Sequence, residues 1–255
     1  MKNMENIISS VYHYTGYDIL TKIISNKQLR FTSLSFLNDK SEYAYALQLL
    51  KNKISDFESK NNIANRFNLN MLDHFSFRKE LFSVSFSEDG DCLSFWNSYY
   101  VPRNGGISLG FELNELFPQN EFKVNKCIYG DPYPTMSEER YLWFRKLFSN
   151  VLSIHKSIDY IQITFQTAHI KDKRFQIENE WRSVNFAPKN VQVNHFLREG
   201  NQIPYFDYPI NINSLTNIII GPSTIQERIY QDVNELINAA GLKCQIEKST
   251  IPFNP

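Results

Sequence analysis

Three charged residues fall on one face of a strand in the stretch 177–186. Strict alternation there places Glu178, Glu180, Arg182 and Val184 on one side and Ile177, Asn179 and Trp181 on the other. Such a row needs solvent, mutual pairing or a ligand. Carboxylates two residues apart on a strand lie roughly 6–7 Å from each other along the chain. That is near enough to work as an acid–base pair on one ligand, or to hold a divalent metal in a hydrolase or nuclease. A second row, Ser83, Ser85 and Ser87, alternates with Phe82, Val84 and Phe86, which predicts a strand with one hydroxyl-lined face. His13, between Tyr12 and Tyr14, adds a side chain that in its neutral form both donates and accepts a hydrogen bond. Trp96, Tyr99 and Tyr100 supply aromatic surface.

These groups need a scaffold. Residues 11–14 read as a short strand. Thr15 and Asp18 have capping-box spacing ahead of Ile19, Leu20, Ile23 and Ile24, predicting a short helix and setting His13 where strand passes into helix. A second helix is predicted over residues 40–60 from the stripe Tyr43, Leu47, Leu50, Ile54 and Phe57, with Asn38 and Asp39 as capping types. Residues 105–113 and 122–129 read as strands, and residues 137–155 as a helix carrying Tyr141, Phe144, Leu147 and Phe148 on one side. Residues 157–168 have no clear assignment. The end of the chain reads as a strand at 215–220, a Gly221-Pro222 break, Ser223 as a helix N-cap, a helix to about residue 240 and a strand at 243–248. Strands outnumber helices without regular alternation, so the expected class is α+β, with residues 1–255 forming one domain.

Composition removes several function classes. Lys+Arg and Asp+Glu both total 27, leaving no net field to draw the whole chain onto nucleic acid or an anionic membrane. No apolar run approaches the roughly 20 residues of a bilayer span, and the N-terminus lacks a signal-peptide pattern, so a cytoplasmic protein is expected. Cys92, Cys127 and Cys244 are far apart, which suggests reduced thiols rather than disulfides or a zinc site. Gly106-Ile107-Ser108-Leu109-Gly110 matches a nucleophile-elbow pattern, but Phe111, Glu112 and Leu113 continue a strand where the elbow demands a sharp turn. Phosphate-loop, dinucleotide-fingerprint and H-E-x-x-H motifs are missing, and His74, His155, His169 and His195 lack ligand spacing, so no metal is expected.

Read in order, Tyr12-His13-Tyr14-Thr15, Asn38-Asp39 with Glu42, Ser85-Phe86-Ser87, Trp96 with Tyr99, Gly105-Gly106-Ile107 and Glu178-Asn179-Glu180-Trp181-Arg182 resemble the bacterial domain-of-unknown-function family 2971. The likeness runs from about Val11 to Ile219-Ile220-Gly221-Pro222. The same order resembles the ADP-ribosyltransferase superfamily, with its first-strand His or Arg, Ser-x-Ser strand and late Glu-x-Glu strand. That resemblance implies split antiparallel β-sheets with flanking helices and NAD as co-substrate, held extended across the split, so a missing glycine-loop fingerprint does not count against it. It casts Glu180 as the carboxylate that stabilises an oxocarbenium-like state and Glu178 as the group activating the acceptor. His13 would bond a ribose hydroxyl or phosphate, with Tyr14 and Thr15 beside it. Ser85 and Ser87 would hold the nicotinamide ribose or orient Glu180, and Trp96 or Tyr99 would form a stacking wall. The His-led first motif resembles nucleic-acid-modifying members, which ranks an RNA or DNA acceptor ahead of protein. It also implies a toxin–antitoxin or phage-defence setting with a neutralising antitoxin protein. Arg103, Lys171, Lys173 and Arg174 are the basic residues that would track an acceptor's phosphates.

Plainer readings stand beside each of these. Glu178, Glu180 and Arg182 can form a surface ion network, alternating serines also line the wet face of ordinary sheets, and His13, Trp96 and Tyr99 can pack structurally. Asn38 and Asp39 are explained as a cap. The alternatives to a transferase are a noncatalytic nucleotide- or protein-binding module and a carboxylate- or metal-dependent nuclease.

Overall fold

Period-two patterning builds the centre of the molecule, and the computed structural model describes it through residues 9–36, 41–72, 81–99, 105–118, 122–149 and 158–252. β1 (Ser10–Gly16) leads into α1 (Tyr17–Asn26), which buries Leu20, Ile23 and Ile24 and ends where Lys27 turns left-handed and returns its N–H to the Ile23 carbonyl. β2 (Gln28–Ser33) buries Leu29, Phe31 and Ser33 and precedes α2 (Ser41–Lys60). β3 (Leu81–Ser87), α3 (Leu93–Tyr99) and β4 (Gly106–Glu112) follow, then the short β5 (Val124–Lys126) and β6 (Ile128–Tyr129). α4 (Glu138–Ser149) and α5 (Ile158–Thr167) precede β7 (Ile170–Lys171) and β8 (Glu180–Phe186). The chain closes with β9 (Asn194–Arg198), β10 (Asn201–Pro209), β11 (Leu215–Ile220), α6 (Gln226–Ala239) and β12 (Gln245–Lys248).

The fold is mixed α and β with a mostly antiparallel sheet of order β12-β11-β4-β1-β3-β2-β10-β9, to which β8 adds through β3 and β5 through β8. Among the described residues only β11–β12 and the separate β6–β7 pair run parallel. One face of the sheet buries Phe31, Phe82, Phe86, Leu109, Phe206 and Ile218, and α6 contributes Ile229, Val233 and Ile237 to the same core. Full burial of side chains of this size stabilises by about 1.5–3 kcal/mol each, so this face fixes the register of every strand crossing it.

β3 is where the sheet opens. One of its edges pairs with β8 along its whole length, from Leu81↔Phe186 to Ser87↔Glu180. The other edge is shared: β2 meets it at Phe82 and Ser83, and β1 meets it at Ser87 alone. β1 and β2 therefore part along the middle of β3, and the gap lies at Val84, Ser85 and Phe86.

Several expected boundaries shift. The N-cap of α1 is Gly16, with no side-chain bond, because Thr15 stays paired to Ile107 in β1; the capping box does not form. Ser223 accepts from the Ile225 N–H ahead of α6, two residues before the N-cap position. Residues 122–129 break into β5 and β6 because the chain changes partner: Cys127 still donates its N–H to the Glu180 carbonyl at the start of β8, and the next N–H, of Ile128, donates to the His169 carbonyl beside β7. Residues 158–167, left unassigned from sequence, are α5. β2, β9 and β10 carried no expectation; β9 and β10 form a hairpin closed by Glu199 and Gly200, both at positive φ. Asn38, Asp39, His74, Tyr100, Arg103 and His155 lie outside the described residues, as do the side chains of Tyr99 and Phe148. Among the described residues no helix is long and apolar enough to cross a membrane.

Candidate functional site

The gap between β1 and β2 is the mouth of a cavity of about 540 Å³, within the size range of small-molecule sites. β1 gives it Tyr12, His13 and Tyr14, β2 gives Arg30 and Thr32, and β3 forms the floor from Ser83 to Phe86. Glu180 and Arg182 of β8, Glu42 at the start of α2, and Phe175 and Glu178 close one side. Three carboxylates and three arginines thus face one space.

Glu178 does not share a strand with Glu180. Residues Lys173–Glu178 form a 3-10 turn, N-capped by Asp172, and Asn179 is left-handed at φ 41, so β8 starts only at Glu180. The Ser87 hydroxyl makes this turn necessary: it donates to the Glu178 carbonyl at 2.7 Å and accepts from the Asp89 N–H at 3.0 Å. The two carboxylates still converge, because one ammonium binds both. Lys171 Nζ lies 2.5 Å from Glu178 Oε2 and 2.5 Å from Glu180 Oε2, with Glu42 Oε1 at 3.0 Å.

Arg182 completes the cluster. Its Nε donates to Glu180 Oε1 at 2.5 Å and its Nη2 to Glu180 Oε2 at 2.9 Å and Glu42 Oε2 at 2.5 Å, while Nη1 reaches the Ala168 carbonyl at 3.1 Å. Lys171, Glu180 and Arg182 are 2%, 3% and 4% exposed, so these ion pairs are buried rather than a solvated surface network. The Glu180 backbone N–H also donates to the Tyr129 hydroxyl at 2.7 Å.

The cluster holds two cations against three carboxylates, and the carboxylates diverge for that reason. Burial alone would raise the Glu180 carboxyl, but the charges of Arg182 and Lys171 overturn this and hold it down to about 2. Glu178 has Lys171 but no arginine; burial dominates and pushes it above the ordinary carboxylate range, with Glu180 and Glu42 adding to the rise. Neighbouring carboxylates in separate environments are pushed apart in acidity: the cations hold Glu180 ionised, and burial raises Glu178.

His13 sits where β1 leaves β3, and its Nδ1 lies 3.0 Å from the Ser85 carbonyl. A carbonyl only accepts, so Nδ1 carries the proton, and the side chain replaces a ladder bond lost at the split. Burial lowers its affinity for a second proton, opposed by the Ser85 bond. The ring is thus neutral, with Nε2 as an acceptor.

The other sequence candidates separate. Tyr14 and Ser85 line the cavity with His13. Tyr14 stacks on Phe95 at 4.6 Å and fixes the following loop, its hydroxyl donating to the Asp89 carbonyl and accepting from the Cys92 N–H. Thr15, Ser87 and Trp96 are buried away from the cavity wall. Thr15 shares the core side of β1 with Val11, and Trp96 packs behind Tyr14 with Nε1 bonded to Asp91. The aromatic side chains that line the cavity include Tyr14, Phe95 and Phe175. Lys171 is buried in the ion cluster and so does not match a solvated phosphate contact, whereas Lys173 and Arg174 are exposed, Arg174 beside Asp172. Sequence reading passed over Arg30, Thr32 and Arg198. The alternation of Arg30 and Thr32 with Leu29 and Phe31 was the available signal.

No protein-family model matches the chain, and no curated protein matches it. Among solved structures, Thermus sp. 2.9 DarT in complex with ADP-ribosylated ssDNA is similar at 11% sequence identity, over 98% of this chain and 97% of that one, with a TM-score of 0.36. A likeness that loose carries no argument about the site.

Proposed function

We propose that this cavity binds NAD as co-substrate and that the protein is an ADP-ribosyltransferase, with a split-sheet fold of that type and a macromolecular acceptor, RNA or DNA ahead of protein. The observation that carries this reading is the convergence of Glu180 and Glu178 on one ammonium, that of Lys171, at the wall of an aromatic- and arginine-lined cavity. NAD would supply an activated ribosyl carbon, with nicotinamide as the leaving group. Glu180, held ionised, would stabilise positive charge at that carbon. Glu178, whose environment favours protonation, would take the proton released by the acceptor nucleophile. His13 Nε2 would accept from a ribose hydroxyl, and Tyr14, Phe95 and Phe175 would pack flat rings. The toxin or phage-defence setting, the cytoplasmic location and a neutralising antitoxin rest on the family resemblance alone.

One observation favours a noncatalytic binding module instead. Both Glu180 oxygens already face cations, so catalysis requires the carboxylate to serve substrate without leaving them. The test is incubation of wild-type protein and Glu180→Gln with adenylate-labelled NAD and separate pools of RNA, DNA and cell protein. Glu180-dependent label in one pool establishes transfer and names the acceptor class. Nicotinamide release without label indicates an NAD hydrolase, and binding without turnover selects the module.

A further inference from the structure

The serine row and its neighbours define a second end of the cavity. Directly paired residues of antiparallel strands share a face, and the registers Ser87↔Glu180, Ser85↔Arg182, Thr32↔Ser83 and Asp207↔Arg30 lay out one such face. Along β3 the acidic cluster stands at Ser87, and Thr32 stands at Ser83, four residues away or roughly 13 Å. A ligand filling both ends must be extended.

The chemistry changes along that length. The far end has Arg30 and Arg198 on its walls. Arg30 is held flat: its guanidinium carbon lies 3.7 Å from the Tyr205 ring centroid, and Asp207 accepts from Nε at 3.0 Å and Nη2 at 3.3 Å. Nη1 remains for a ligand. Arg198 is anchored by Nη2 to the Phe36 carbonyl. Beneath them Ser83 is 3% exposed and lines the cavity, yet its Oγ has no hydrogen-bond partner among the described residues. Leaving a buried hydroxyl unpaired is unfavourable, and a ligand in the cavity would supply the partner that the described residues do not.

We propose that Arg30, Arg198, Thr32 and Ser83 form a diphosphate subsite, which takes the anionic bridge of a dinucleotide while the Glu180 end takes its sugar. The assignment to a dinucleotide rests on the NAD reading above; the diphosphate chemistry does not. An oriented guanidinium presents donors that match phosphate oxygens, and a hydroxyl below completes the cradle. Asp207 orients Arg30 without filling the site.

The experiment is calorimetric titration of the full chain with inorganic pyrophosphate, then displacement by ADP-ribose or by a short single-stranded oligonucleotide. Wild-type protein is expected to bind pyrophosphate, Arg30→Gln to weaken it about tenfold or more, Arg30→Lys to recover part of the loss, and Ser83→Ala to weaken it less. Arg30 is on an exposed rim, so its variants keep the fold, and thermal melting verifies that. ADP-ribose should displace the probe. Pyrophosphate binding that depends on Arg30 while NAD fails to bind would support the subsite and reject the NAD reading. Displacement by oligonucleotide alone would overturn the dinucleotide assignment. No pyrophosphate binding, or binding indifferent to Arg30 and Ser83, would overturn the subsite.

Discussion

Replacing Glu180 by Gln keeps the shape of the side chain and removes its charge from between Lys171 and Arg182. The drop of the Glu180 carboxyl from 4.5 to about 2 is equivalent to roughly 3 kcal/mol of stabilisation. Removing one partner of a buried ion pair costs about 3–5 kcal/mol by mutational experience, so two independent routes agree in scale. Glu42 stays within reach of both cations and offsets part of the loss, which places the expected value near the lower figure, about 3 kcal/mol. For a chain of this size that lowers the melting temperature by roughly 6–10 °C. The pH dependence has a defined sign. A carboxylate with a depressed folded value stabilises above its unfolded value, and that contribution is lost as pH falls through the folded one. The wild-type protein should lose its Glu180 share between pH 4.5 and about 2, and the variant should lack that slope. Urea unfolding at pH 7 and at steps down to pH 3 measures both. Equal stability of the two proteins at pH 7, with parallel acid limbs, would refute the buried-network account. Activity comparisons belong well below the variant's melting temperature, so that lost turnover is not lost fold.

Glu42→Gln should cost stability by about 1–3 kcal/mol, less than Glu180→Gln, and the two losses should be non-additive in a double-mutant cycle because they share Lys171 and Arg182. Ser87→Ala should destabilise by about 1–3 kcal/mol by unpairing the Glu178 carbonyl and the Asp89 N–H; a change in ligand affinity with no change in stability would return Ser87 to the cavity. His169, whose ring is lowered by burial against the bond its Nδ1 donates to the Phe165 carbonyl, binds its second proton more readily unfolded. Stability should therefore fall as pH drops below about 6.5, and His169→Gln should flatten that limb in denaturant titrations.

The sequence by itself determined most of the elements and the two ends of the central chemistry. Period-two alternation over Phe82–Ser87, and from Glu180 to Phe186, came from local geometry, so β3 and β8 were legible, as were α1, α2 and α6 from their three-and-four spacing. Alternation misled at residues 177–179, because a 3-10 turn held by Ser87, 91 residues away from Glu178, leaves no trace in the local pattern. Lys171 reads from sequence as one more surface base, and becomes the hub of the site only because β7 and α2 pack beside β8. Ser87 and Ser83 are alike in type and alternation, yet the first is bonded on both sides and the second lines the cavity with no hydroxyl partner among the described residues. Local sequence fixes which way a side chain leaves its own strand. Which charges meet it, and whether water can replace them, depends on strands brought together from distant parts of the chain, and so only the tertiary structure decided which carboxylate is held down by two cations and which is raised by burial.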